Sequence, residues 1–210
     1  MKTLLKSIPI GFCLICLGFQ TFQITCSREK EFDAKEVQNE RTFPESKTLE
    51  PSILLLLDSL QLKKEDISIH IDKSDYRLYA MADTVIVKTY PVVFGTNPVD
   101  DKLMQGDRST PEGGFSVRAF YPHTTWSKFI WIDYPTTESW EKHNKAKAEN
   151  KIPKDAKIGG EIGIHGVPKG HSNLIKQKQN WTWGCISLTN KDVNDLYTVV
   201  YRGMPITITK

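Results

Sequence analysis

From Ile67 onward the chain alternates apolar and polar residues in short runs. Ile67, Ile69 and Ile71 are followed by runs over 76–80 and 85–93, with turn residues at 72–75 and 82–84. Successive side chains of a strand point to opposite faces, so this pattern describes strands with one face against a core. Further short runs at 115–121, 131–134, 162–164 and 205–208 continue it. The runs are too short and too closely spaced for βαβ units. They predict a mainly β domain of mixed or antiparallel sheets, sandwich-like or barrel-like, with a few helices.

Two helices are signposted. Over 51–62, Pro51 sits at a first helical position and apolar residues fall at 53–57, 60 and 62, which predicts a helix apolar on most of its circumference. Later, Thr189 and Asp192 form a capping-box pair, and Val193, Leu196, Tyr197 and Val200 follow at i, i+3, i+4 and i+7. Arg202 then falls in the last turn and Gly203 beyond it. The run EKHNKAKAENK at 141–151 reads as a solvated face, helical or mobile.

The 210 residues suit one domain of ordinary size plus a tail. With 39% hydrophobic and 10% aromatic residues the chain can build a core, which excludes disorder throughout, a collagen-like chain and a multi-span membrane protein. The net charge is +3, of which Lys2 and Lys6 in the acid-free first 26 residues supply two. The rest is nearly neutral and has no basic, aromatic-interleaved footprint, so nucleic acid is not an expected partner.

Residues 1–26 read as an export signal, with Lys2 and Lys6 as the positive end and 8–22 as the apolar stretch; the alternative is an uncleaved anchor. Ile24-Thr25-Cys26 stands where a lipoprotein signal places its lipid-accepting cysteine, loosely matched, and a diacyl group on Cys26 would supply a two-chain membrane anchor. The expected location is therefore the periplasm or cell envelope. Residues 27–50 are charged and read as a tether. The expected organisation is 1–26 signal, 27–66 tether plus one helix, and 67–210 the main folded domain.

Cys13, Cys16 and Cys26 all lie in the leader, leaving Cys185 alone in the rest of the chain. A lone thiol can be a buried structural group, an intermolecular disulfide or a nucleophile. Gly184 before it permits the sharp turn that aims consecutive N–H groups at one point, as an oxyanion hole requires. A catalytic thiol also needs a base or a positive charge that depresses its pKa. Of five histidines, His70, His123, His143 and His171 have no local feature that calls for an imidazole. His165 ends the apolar Ile162-Gly163-Ile164 run and precedes Gly166, where the chain leaves a sheet. No metal-ligand spacing is present, and neither a metal nor an organic cofactor is expected.

Ile164-His165-Gly166, followed after a spacer by Thr182-Trp183-Gly184-Cys185-Ile186-Ser187-Leu188, resembles the H-G … [S/T]-x-G-C-[IV]-x-[LM] signature of the L,D-transpeptidases, the YkuD-like proteins of bacterial cell walls. Gly106-Asp107-Arg108-Ser109-Thr110-Pro111-Glu112-Gly113 is similar to that family's G-D-x-x-T-P-E-G segment, and the likeness spans about 67–209. The resemblance implies a β-rich domain with Cys185 as nucleophile and His165 as general base. It also implies an oxyanion hole of the Cys185, Gly184 and Trp183 N–H groups, and substrate contacts at Gly166, Thr182 and Ser187. Its substrate would be the stem peptides of peptidoglycan, attacked through a cysteine thioester with release of a D-amino acid and formation of a new amide. The alternatives are hydrolysis at the same site, as a carboxypeptidase or endopeptidase, and a non-catalytic peptidoglycan-binding module. Two positions depart from the pattern: many members have His where Trp183 stands and Arg where Ser187 stands, which leaves open how a substrate carboxylate is held. The segments 141–151 and 168–180 are the expected cleft walls.

Overall fold

In the computed structural model, which describes residues 50–210, the alternation becomes the core of the sheet. Every second residue of β1 (Ile67–Asp72) is buried, namely Ile67, Ile69 and Ile71, and in β2 (Arg77–Ala82) the buried set is Leu78, Ala80 and Ala82. The strands pair antiparallel with Ile69 opposite Ala80 and Ile71 opposite Leu78, so both buried rows face one core. The leader, the tether and the lipidation expected at Cys26 lie outside the described residues.

The remaining strands are β3 (Val85–Pro91), β4 (Gly113–His123), β5 (Ser127–Ile132), β6 (Gly163–His165), β7 (Ile186–Ser187) and β8 (Pro205–Thr209). They form one curled sheet in the order β3-β2-β1-β8-β4-β5-β6-β7. The β1–β8 and β6–β7 pairs are parallel and the others antiparallel. β4 joins the two halves: Gly113–Ser116 pairs with β8, while the stretch from Val117 pairs with β5 across a bulge at Arg118. A bulge bends and twists its strand, which is what this crossing needs. β5 starts earlier than alternation alone predicts. Phe129 and Ile130 point to opposite faces and are both buried, Ile130 in the main core and Phe129 against the rings of Tyr121, Trp126 and His165, which erases the period-two signal.

The helices are α1 (Ile53–Leu60), α2 (Thr137–Ala148), α3 (Asn173–Lys176) and α4 (Asn190–Tyr197). Ser52, not Pro51, caps α1, and Pro51 precedes the cap. This helix buries one stripe, Ile53 and Leu57, and leaves Leu54, Leu55 and Leu60 exposed. The charged run expected to be a solvated face forms most of α2, which buries Ser139, His143 and Ala146. His143 Nδ1 meets the Leu103 carbonyl at 2.6 Å and Lys142 Nζ donates to Asp101 and to the Glu112 carbonyl, so α2 buttresses the 101–112 segment. Thr189 caps α4 as its spacing predicts, accepting from Asp192 N. The helix ends at Tyr197, five residues short of Arg202, because the chain must turn to pair Gly203 and Met204 with Val117 on β4.

Asp195 of α4 ties three elements together. It accepts the Ile53 N–H of α1 at 3.1 Å, the Lys88 ammonium of β3 at 2.6 Å and the Tyr90 hydroxyl at 2.8 Å. Burial and the Asp195 carboxylate together push the Tyr90 phenol far up, so it stays a donor. Asp195→Ala orphans three donors at once and is expected to cost about 2–3 kcal/mol in urea denaturation, with Asp195→Asn costing less. An unchanged unfolding midpoint in Asp195→Ala would show that the clamp contributes nothing.

Candidate active site

Cys185 sits on a turn closed by Thr182. The Thr182 hydroxyl donates to the Cys185 carbonyl at 2.6 Å and accepts the Gly184 N–H at 3.2 Å. Gly184 has φ +128°, and a Cβ there would lie 2.7 Å from the Ser109 carbonyl oxygen, so the position demands glycine on two counts. Gly95 is tighter: its Cβ would fall 1.9 Å from the Arg108 carbonyl oxygen and 2.9 Å from the Gly184 nitrogen. The G-D-x-x-T-P-E-G segment therefore packs directly behind the Cys185 turn.

Asp107 fixes that segment. One carboxylate oxygen accepts the N–H groups of Leu103 and Met104, each at 2.8 Å, and the other accepts Ser109 N–H and the Lys102 ammonium at 2.7 Å. Further along, the buried Lys73 ammonium donates to Glu112 at 2.6 Å and to the Asp100 carbonyl at 2.9 Å. The sequence motif is thus a loop scaffold whose acids each bind named donors.

Neighbouring strands bring histidine and cysteine to one face. β6 and β7 run parallel with Ile164 beside Ile186 and His165 beside Ser187. Alternation then places Ser187 and Cys185 on the face that carries His165. One step outside β7, Cys185 lies next to Gly163, whose backbone N–H bonds its sulfur, while the thiol donates to the Glu161 carbonyl at 3.5 Å. No hydrogen bond joins Cys185 to His165 among the described residues.

His165 is almost fully enclosed, with 2% of its surface exposed. Its ring stacks on Trp126 at 4.5 Å, lies parallel to Phe129 at 5.7 Å, and meets Trp181 edge-on at 5.6 Å. Nδ1 faces the Gly166 carbonyl at 2.7 Å, and a carbonyl only accepts. The neutral ring therefore carries its proton on Nδ1 and leaves Nε2 as the basic atom. Burial lowers the His165 pKa to about 4, partly offset by the bond to Gly166. Burial likewise raises the Cys185 thiol to about 11, against the pull of the Gly163 N–H and the Lys102 charge. The resting pair is thus neutral thiol and neutral imidazole. The direction is opposite to the depressed thiol expected from sequence, because loss of hydration at the sulfur outweighs the nearby positive charge.

The half-buried Cys185 opens on a cavity of about 510 Å³ whose walls are the 102–106 loop, the 159–162 segment and Trp183. Trp183 is 76% exposed, with the Arg108 guanidinium 5.5 Å from its ring. The walls expected at 141–151 and 168–180 do not line it. Helix α2 acts one layer behind, through the loop it braces. Gly166, Thr182 and Ser187 also lie outside the cavity and are buried. Thr182 shapes the turn. A Cβ on Gly166 would meet Asn190 Oδ1 at 2.1 Å and the Trp126 carbonyl oxygen at 2.5 Å, so its bareness lets the chain after His165 pass between them. Ser187 Oγ donates to the same Gly166 carbonyl that His165 uses, at 3.5 Å. The Gly184 N–H is engaged by Thr182, whereas those of Cys185 and Trp183 have no acceptor among the described residues. No group of three or more potential metal ligands occurs among the described residues.

Sequence reasoning missed Trp126, Phe129, Lys102 and Glu161. Lys102 and Glu161 stand in stretches with no pattern that singles them out. Trp126 and Phe129 reach His165 only through the β4–β5 turn and the Phe129–His165 pairing across β5 and β6.

Residues 66–208 match the family model described as the L,D-transpeptidase catalytic domain. Among solved structures, Bdellovibrio bacteriovorus Bd1075 is 19% identical with a TM-score of 0.47, covering 69% of this chain and 48% of that one. The helical cell shape determining protein Pgp2 from Campylobacter jejuni is 19% identical with a TM-score of 0.47, covering 75% and 55% respectively. An L,D-transpeptidase from Mycobacterium smegmatis is 14% identical with a TM-score of 0.46, covering 69% and 59%. The chain thus spans about half the length of these structures. A search of curated proteins gives no match.

Because His165 resists protonation in the folded state, stability should be complete above its ordinary pKa of 6.5 and erode as pH falls toward about 4. The loss attributable to this ring is up to about 3 kcal/mol. Urea denaturation of the wild type and of His165→Gln should diverge across that window, with the variant showing the flatter profile. Parallel profiles would mean that the ring is not held neutral by folding.

Proposed function

The chain belongs to the L,D-transpeptidase catalytic domain family, and from that premise we propose a cysteine acyl transfer on the stem peptides of peptidoglycan. What supports it is the pairing of β6, which carries His165, with β7, which follows Cys185, together with a sulfur open to a cavity and an imidazole that burial keeps neutral. A general base must be unprotonated to act, and His165 is so throughout the neutral range.

In this reading Cys185 Sγ attacks the carbonyl of an L-centred residue while its proton passes to His165 Nε2. The C–N bond to the D-amino acid then breaks, the proton goes to the departing amine, and a thioester remains on Cys185. An acceptor amine attacks the thioester, forms the new amide and returns the proton to sulfur by way of His165. With the thiol raised and the imidazole lowered by burial, proton transfer at rest is uphill, so it takes place in step with attack and no free thiolate accumulates. The Cys185 and Trp183 N–H groups are the donors for the oxyanion, a contribution on the order of 10²- to 10³-fold per donor. Water in place of the amine would give hydrolysis at the same centre. Export by residues 1–26 and attachment through Cys26 fit an envelope substrate and are part of the proposal.

Muropeptides incubated with the purified chain and read by mass spectrometry test this directly. Cross-linked products with release of a D-amino acid are expected from the wild type. Cys185→Ala should lose them entirely, and a carbapenem should add one adduct per chain on Cys185 and none on the variant. Shortened stems without cross-links would identify a hydrolase. Full activity in Cys185→Ala would overturn the mechanism.

A further inference from the structure

The cavity beside Cys185 has one charge of each sign among its lining residues. Lys102, 4% exposed, comes from the loop that Asp107 organises, and the exposed Glu161 comes from the 159–162 segment. The two are not paired with each other: the Lys102 ammonium bonds Asp107 at 2.7 Å and the Met104 carbonyl at 3.1 Å, and Glu161 takes part in no ion pair among the described residues. An ammonium has three N–H donors, so Lys102 has one without an acceptor among the described residues. Lys102 lines the cavity, so that N–H is available to a ligand held there.

Both charges also act on the nucleophile. Lys102 pulls the Cys185 pKa down and Glu161 pushes it up, which places each within electrostatic reach of the sulfur. Glu161 has a left-handed backbone, φ 59°, and its carbonyl accepts the Cys185 thiol. Non-glycine residues adopt that conformation at a cost, and such outliers gather at functional sites. Two of the three lining glycines leave open space: a Cβ on Gly106 or Gly160 would meet nothing within 4 Å, whereas one on Gly159 would lie 3.2 Å from Gln105 Cα.

We propose that this cavity reads a substrate bearing both charges, a carboxylate received by Lys102 and an ammonium received by Glu161. The choice of ligand rests on the acyl-transfer reading above, because a peptide cleaved before a terminal D-residue carries a carboxylate on the leaving side and, from a diamino acid, an amine on the acyl side. Lys102 then supplies the cation that the buried Ser187 does not.

The test uses the full chain with Cys185→Ala, so that binding is read without turnover, and calorimetry with Nα-acetyl-L-lysyl-D-alanine, its carboxamide and its Nε-acetyl form. The carboxamide should bind at least about tenfold more weakly than the acid, as expected for a hydrogen bond to a charged group. Nε-acetylation should weaken binding about two- to threefold, as expected for an exposed ion pair. Adding Lys102→Met should erase the acid-over-amide preference, and adding Glu161→Gln should erase the effect of acetylation. Since Lys102→Met strips Asp107 of its counter-ion, Lys102→Met/Asp107→Asn is run beside it. Equal affinity for acid and carboxamide before any wall substitution, or an acid preference that survives in the folded Lys102 variants, would overturn the proposal. Turnover by the unmodified chain is scored separately. Absence of D-alanine release alongside intact charge discrimination would count against acyl transfer and for this reading of the cavity.

Discussion

Two backbone carbonyls hold the Cys185 turn in place. Those of Arg108 and Ser109 pack against Gly95 and Gly184 at distances no side chain would permit. Every other feature of the site follows from this close approach. It fixes the 182–185 turn, and so the exit of the chain into β7 beside β6, where Cys185 comes to the face that carries His165. It also brings the 102–106 loop up to form one wall of the cavity. The approach is maintained from behind by Asp107 within the loop, and by Lys73 and Lys142 from β1's end and α2.

The second constraint is enclosure. Three aromatic rings surround His165, and burial dominates its titration as it dominates that of Cys185. A thiolate–imidazolium pair would place two charges in this setting, where desolvation opposes both. The neutral pair avoids that and leaves a basic Nε2 whose tautomer is set by the Gly166 carbonyl. In the proposed mechanism reactivity comes from alignment and from donors aimed at the developing oxyanion, not from a standing thiolate.

Much of this was legible in the sequence. Period-two alternation located β1, β2 and β8 because each has one buried face. It failed at β5, where Phe129 and Ile130 are both buried; the charged run at 141–151 allowed for the helix of α2 but not for its buried face of His143 and Ala146. Local motifs identified Cys185, His165 and the 106–113 segment, but not that the last packs against the first. Gly166, Thr182 and Ser187 stand beside the key residues in sequence and so suggested substrate contact; in space they shape the turn and orient the imidazole. Lys102 and Glu161 carry no local signal at all, since only the folding of two distant segments around Cys185 makes them neighbours.

The protonation state of the resting site is the claim on which the mechanism turns. It can be measured as the ultraviolet thiolate absorbance of the wild type minus that of Cys185→Ala across a pH titration. The difference should rise with a midpoint near 11 and be absent at neutral pH. A thiolate signal already saturated at neutral pH, together with a protonated His165, would contradict the account.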